Sequence, residues 1–178
     1  MYTKIMFRRA GFGLLLLLFL QGLPAQSSGK FIKQVEQDSF TLYFALPVSM
    51  KAEEARVKFE PDFTYHDYEG APGRDQVTMN FSLFTKEDPV KQIERIEFQA
   101  GQESFTTKNV SFLYLEKNGR KWHTRFSALV PVSAYRAVLE KAESTVFEIH
   151  AEKRTFIVPG NRKWRKSAGI VAEYLTNQ

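Results

Sequence analysis

Apolar residues recur at every second position through much of this chain. Ala55, Val57 and Phe59 alternate with Arg56, Lys58 and Glu60; Val77, Met79, Phe81 and Leu83 alternate with Thr78, Asn80 and Ser82. Successive side chains of a strand point to opposite faces, so a period of two predicts a half-buried β-strand with one wet face. Pro61 follows the first run and cannot donate to a strand ladder, which predicts an edge strand or a bend, with residues 63–68 continuing in extended form. Residues 40–46, aromatic and branched and stopped by Pro47, predict another strand. Shorter runs at 31–35, 105–107, 145–149 and 156–158 add more. Residues 93–98 carry much charge and are expected at a sheet edge. Turns are expected at 37–38, 86–89, 99–102 and 151–154, and residues 69–75, with two Gly and a Pro, predict the clearest loop. The polar stretch 49–54 is expected to form one helical turn.

Residues 109–130 spell out a β-hairpin almost in full. Phe112-Leu-Tyr-Leu-Glu-Lys117 is followed by Asn118-Gly119 and then by Arg120-Lys-Trp-His-Thr-Arg-Phe126. Asn-Gly between two such runs is a strong hairpin signal, because a type I′ turn needs positive φ at both central residues. With Asn118 and Gly119 as the turn, Lys117 faces Arg120, Leu115 faces Trp122, Leu113 faces Thr124 and Ser111 faces Phe126. Leu113, Leu115, Trp122 and Phe126 then form a core face. The opposite face carries Phe112, Tyr114, His123 and Arg125, with Tyr114 across from His123 and Phe112 across from Arg125. Half aromatic and half cationic, it is expected either to be partly covered by another element or to be a wet binding surface.

Beyond residue 131 the period changes. Val132, Tyr135, Val138, Leu139 and Ala142 recur at helical spacing and predict an amphipathic helix near 132–142, with Ser133 placed to cap it. Pro159-Gly160-Asn161 opens a second helix near 162–175, with Trp164, Ala168, Val171, Tyr174 and Leu175 as its apolar stripe. The predicted fold is β-rich (α+β). It is an antiparallel β-sandwich or curled sheet of about eight to ten strands, with two amphipathic helices in the C-terminal half covering an open edge or face.

The first 25 residues stand outside this pattern. Lys4, Arg8 and Arg9 precede an apolar run over residues 11–20, and residues 21–25 supply a helix break and the small Ala25. This is the pattern of a secretory signal peptide cleaved after Ala25. The run is shorter than the about 20 residues that cross a bilayer, so no transmembrane segment is expected after cleavage. Residues 26–30 then form a flexible start and residues 31–178 a single β-rich domain. Cleavage also changes the charge. The full chain carries 25 Lys and Arg against 20 Asp and Glu, a net of +5; without the leader the basic count is 22 and the net +2. That small excess does not suit nucleic acid as a partner. There is no cysteine, which excludes disulfides, a thiol nucleophile, thiolate metal sites and a lipid anchor on Cys. Exported chains of animals and plants often carry disulfides, so their absence points to a bacterial protein of the periplasm or extracellular space. Asn80 and Asn109 stand in Asn-X-Ser sequons, but both lie in predicted strands.

The chain holds no Gly-X-Ser-X-Gly elbow, no phosphate-cradling glycine loop and no His-Glu-X-X-His. His66, His123 and His150 fall in three separate predicted strands and fit no local metal motif, so no metal or cofactor is expected. Two places gather reactive side chains. In a rim at residues 63–69, Tyr65, His66, Asp67 and Tyr68 put aromatic platforms beside an acid–base pair. Strand alternation divides them, His66 with Tyr68 and Tyr65 with Asp67. On the last helix, Arg162, Lys163, Arg165 and Lys166 surround an inward-facing Trp164 and offer cations to an anionic lipid or acidic glycan. The expected function is an exported, non-enzymatic module that binds a protein or cell-envelope component. The alternative is a carbohydrate- or lipid-handling protein, possible hydrolases included, that works at the rim. Mass spectrometry of the exported protein is expected to find Gln26 at its N-terminus; a cytoplasmic chain that retains Met1 would sink the export assignment.

Overall fold

A computed structural model describes residues 28–38, 40–53, 56–68 and 75–176. The leader expected at 1–25 and the loop expected at 69–75, up to residue 74, lie outside the described residues. The strands are β1 (Ile32–Gln37), β2 (Phe40–Ala45), β3 (Met50–Lys51), β4 (Lys58–Tyr68), β5 (Gln76–Thr85) and β6 (Ile93–Ala100). They continue as β7 (Glu103–Thr107), β8 (Val110–Asn118), β9 (Lys121–Pro131), β10 (Thr145–Ala151) and β11 (Arg154–Pro159). The helices are α1 (Val132–Glu140) and α2 (Arg162–Thr176), and Ser28–Lys30 form a turn of 3₁₀ helix. Every pairing is antiparallel. A seven-stranded sheet runs β1-β2-β4-β5-β9-β8, with β3 paired to β4, and a four-stranded sheet runs β11-β10-β6-β7.

Aromatic rings join the sheets. Phe126, Phe81 and Phe59 follow one another along the inner face of the first sheet, with centroids 5.2 and 5.7 Å apart. Phe59 meets Phe147 of β10 at 5.3 Å, and Phe147 stands edge-on to Phe98 of β6 at 5.9 Å and to Trp164 of α2 at 5.2 Å. All of these rings are buried, and burial of such a side chain stabilises the fold by about 1.5–3 kcal/mol. The second sheet is the narrower one, and the helices cover inner surface that it leaves. Tyr135 of α1 lies 4.6 Å from Phe63 of β4, and Tyr174 of α2 lies 5.7 Å from Tyr43 of β2. The start of α2 is fixed by Asn161, whose Oδ1 accepts from the Trp164 N–H at 2.9 Å while its Nδ2 donates to the Ser49 carbonyl at 2.8 Å. Gly160 is required beside it, because a Cβ there would sit 2.6 Å from the Trp164 ring. At α1 the cap position is held by Pro131, with no side-chain cap bond, so Ser133 does not cap the helix.

The inward half of the alternation expected for residues 77–83 holds, with Val77, Met79, Phe81 and Leu83 all fully buried; on the other face Thr78 and Asn80 are half-buried and Ser82 is buried as well. Three expectations about these strands are corrected. Pro61 neither ends its strand nor puts it at an edge; β4 runs through it between β2 and β5. Its carbonyl accepts from the Val48 N–H in the connection between β2 and β3, where the β2 ladder has ended at Ala45–Phe63 and the β3 ladder begins at Met50–Phe59. The missing N–H of Pro61 faces that gap, so no ladder bond is lost. Residues 50–51 pair as β3 rather than forming a helical turn. The charged β6 is central, between β10 and β7, because its charges lie on the outer face while Ile96, Phe98 and Ala100 point in.

The hairpin departs in register. Only Gly119 takes positive φ (60°), and Asn118 pairs with Lys121, so Gly119 and Arg120 form the turn, with the φ pattern of type II′ instead of type I′. This slides β8 by two residues along β9 and preserves its faces: Leu115 opposes Thr124 and Tyr114 opposes Arg125. A β-bulge then falls between Phe112 and Tyr114 and switches the faces beyond it. Phe112, expected on the outer face, opposes the buried Phe126, and Leu113, expected in the core, is 49% exposed. Trp122 is only half-buried, under Lys117 at 5.2 Å from its ring. Phe126→Ala is therefore expected to cost about 3–5 kcal/mol in a denaturant titration, whereas Leu113→Ala costs less than about 1 kcal/mol. Comparable losses would restore the unbulged register.

Candidate functional site

The outer face of the hairpin is free of both helices, which pack on the inner-face residues Phe63, Tyr43 and Phe147. A linked set of polar groups crosses four strands here. Glu116 of β8 approaches His123 Nδ1 at 2.9 Å, and His123 Nε2 approaches the Ser82 hydroxyl of β5 at 2.9 Å. Arg125 of β9 donates through Nη1 to Ser82 Oγ at 3.0 Å and through Nη2 to Asp62 of β4 at 2.5 Å. The antiparallel register places Arg125 across from Ser82 and His123 across from Phe84. The His123 ring stacks on Phe84 at 4.3 Å and meets the edge of Tyr114 at 5.2 Å, and Lys58 sits 4.1 Å above Phe84. Burial raises the Asp62 carboxyl above the usual carboxylate range, against the opposing pull of Arg125 and Asn80.

Glu116, His123 and Ser82 have the connectivity of an orienting acid, a base and a nucleophile. Their setting does not serve acyl transfer. Ser82 is 3% exposed, sits within a regular strand, and its oxygen already receives Arg125. With the proton on His123 Nδ1, the imidazole, the Ser82 hydroxyl and the Arg125–Asp62 pair are linked in one run of hydrogen bonds, so the network acts as an inlay that holds the strands in register. Sequence patterning missed Asp62, Ser82 and Glu116. Each stood at a wet position of its strand, but only the sheet order brings them together.

Beside this inlay the end of the hairpin becomes apolar, on both sides of the bulge. Phe112, Leu113 and Tyr114 are all exposed on β8, and Leu129 is exposed on β9. Among the described residues β8 pairs with β9 alone, so its far side is an open strand edge. Elsewhere, a hollow of about 410 Å³ lies between Asp88–Gln92 and the β10–β11 turn at residues 151–154, and one of about 300 Å³ lies between α1 and α2. Neither includes a residue of the network or the edge.

The rim residues do not converge. Tyr65 is directed inward and stacks on Tyr43 at 6.3 Å, whereas His66 lies on the outer face, 5.8 Å from Phe40. Asp67 and Tyr68 occupy β4 opposite Thr41 and Phe40, and their side chains lie outside the described residues. On α2, Arg162, Lys163 and Lys166 are exposed, while Arg165 is bound to Glu143 at 2.9 Å. The three histidines are dispersed over β4, β9 and β10. Scans against family models, curated proteins and solved structures find no match to this chain.

Arg125→Gln leaves the Asp62 carboxylate without its cation and is expected to lower stability at pH 7 by about 2–3 kcal/mol. Asp62 titrates higher folded than unfolded, so its protonation favours the folded state, and that stability is lost as pH rises through the folded value. Without Arg125 that value rises further. The deficit is therefore expected to shrink as pH falls from 7 towards 5, measured by urea unfolding at both; a deficit that grows on acidification contradicts the assignment.

Proposed function

We propose that this protein is an exported β-sandwich module that binds an extended segment of a partner protein along the open edge of β8. The observation that carries this is three consecutive large apolar side chains, Phe112, Leu113 and Tyr114, 42–49% exposed on a strand that, among the described residues, pairs on one side only. Exposed apolar clusters mark interaction sites. An open edge offers main-chain hydrogen bonds to an added strand, and adjacent side chains then select its sequence. The rigid network behind β9 supports this role by holding the hairpin in place without occupying its edge. The leader pattern and the cysteine-free composition support export. The exposed Arg162, Lys163 and Lys166 suit a setting near anionic lipid or glycan. A hydrolase at the 63–69 rim has less behind it, because Tyr65 and His66 face opposite sides of the sheet.

A photo-crosslinking amino acid in place of Leu113 is expected to capture a protein in the native cell, and the same replacement at Val35, exposed on the opposite edge strand, is not. Leu113→Lys is expected to weaken binding of the captured partner at least tenfold, about 1.4 kcal/mol, while changing unfolding free energy by less than about 0.5 kcal/mol. No adduct from position 113, or equal capture from both positions, rules the edge out.

A further inference from the structure

We infer that Glu97, Glu148 and His150 form a zinc(II) site on the outer face of the second sheet. Glu97 of β6 and Glu148 of β10 are directly opposed across the ladder, and His150 follows two residues later on the same face. Like charges in directly opposed positions destabilise a sheet. Here they flank an imidazole: His150 Nε2 lies 3.3 Å from Glu97 Oε1 and 3.7 Å from Glu148 Oε2. One ligand atom from each residue lies within 4.8 Å of the other two.

Three features point to a metal ion rather than a simple ion pair. First, His150 Nε2 is sealed from solvent and has no hydrogen-bond partner, although two carboxylates flank it. An unsatisfied buried polar atom is costly, and a bound cation would engage it. Second, the other ring nitrogen, Nδ1, is 3.1 Å from the Thr155 hydroxyl, a contact that orients the ring and turns Nε2 towards the carboxylates; with Nδ1–H donating to that hydroxyl, the Nε2 lone pair is free to bind a metal. Third, the spacing fits. Zinc bonds of about 2.0–2.1 Å at tetrahedral angles place ligand atoms about 3.3 Å apart, close to both imidazole–carboxylate distances. Outer partners hold the carboxylates: Arg95 donates to Glu97 Oε1 at 2.7 Å, and Gln99 donates to Glu148 Oε1, leaving Oε2 towards His150. The Arg95 cation opposes a metal charge and makes the site weaker than one without it. One imidazole and two carboxylates leave the fourth tetrahedral position to water or to a side chain of a partner.

The test uses the full chain after treatment with a chelator. Titration with zinc chloride is expected to show one ion per chain, and cobalt(II) is expected to give the visible absorption of tetrahedral coordination. His150→Gln and Glu148→Gln, near in size to the native residues and checked for native circular dichroism, are each expected to lower affinity at least tenfold. A His66→Gln, His123→Gln double variant is expected to bind as the parent does. Absence of zinc binding by the parent chain, or binding unchanged in both site variants, overturns the inference. Loss of binding in the His66, His123 variant alone also overturns it, by placing the ion elsewhere.

Discussion

Phe147 is the contact on which the arrangement of the layers depends. It lies in β10 with Phe98 and Val158 as its cross-strand neighbours, and it reaches Phe59 of the other sheet and Trp164 of the last helix. Interiors are packed as densely as organic crystals, so these rings cannot shift independently. Gly160 and Asn161 belong to the same constraint. One makes room for the indole and the other starts the helix at the turn that delivers it. With Phe147 inward, Glu148 and His150 lie on alternate sides of Ile149 and must face out. In the first sheet, Phe81 and Phe126 inward send Ser82 and Arg125 out. The chemistry of both outer faces is a consequence of how the core rings are phased.

Those two faces differ in one respect that matters. On the first, Glu116, His123, Ser82, Arg125 and Asp62 form a chain in which each group meets another. A linked polar network of this kind fixes geometry. On the second, Arg95 and Gln99 satisfy one oxygen of each glutamate, yet the imidazole between them keeps a sealed nitrogen with no hydrogen-bond partner. Resemblance to a catalytic arrangement is therefore a poorer guide than the state of the polar groups. In the triad-like set the serine is buried and already receives Arg125, whereas the Glu-Glu-His set is short of one cation.

Local pattern carried much of the fold. Alternation placed Val77, Met79, Phe81 and Leu83 inward, and helical spacing located both helices and the inward Trp164. It failed where a neighbouring strand decides the outcome. Pro61 looks like a strand breaker until its gap between β2 and β3 is known, and the charge on β6 looks like an edge until β7 and β10 flank it. Asn118-Gly119 announced the hairpin but not which pair of residues would turn, and nothing local announces a bulge. The sites were less legible for the same reason. Glu97 and Glu148 are distant in sequence, as are Ser82 and Arg125, and both juxtapositions are made only by strand pairing.

The bulge bears on which strands the β8 edge could accept. A long, flat apolar edge pairs with any exposed strand, and sheets protect such edges with bulges, charge or short length. β8 has two of these devices: the irregularity beside Leu113, and Glu116 and Lys117 towards its end. Together they interrupt the even ladder that unspecific pairing requires. The bulge also brings Phe112 to the Phe126 side while Tyr114 stays with Arg125, so adjacent residues present apolar surface in different directions. A partner that gains from this edge must match both the broken ladder and the displaced side chains. The feature that displaced Leu113 from the expected core would in this way make the edge selective.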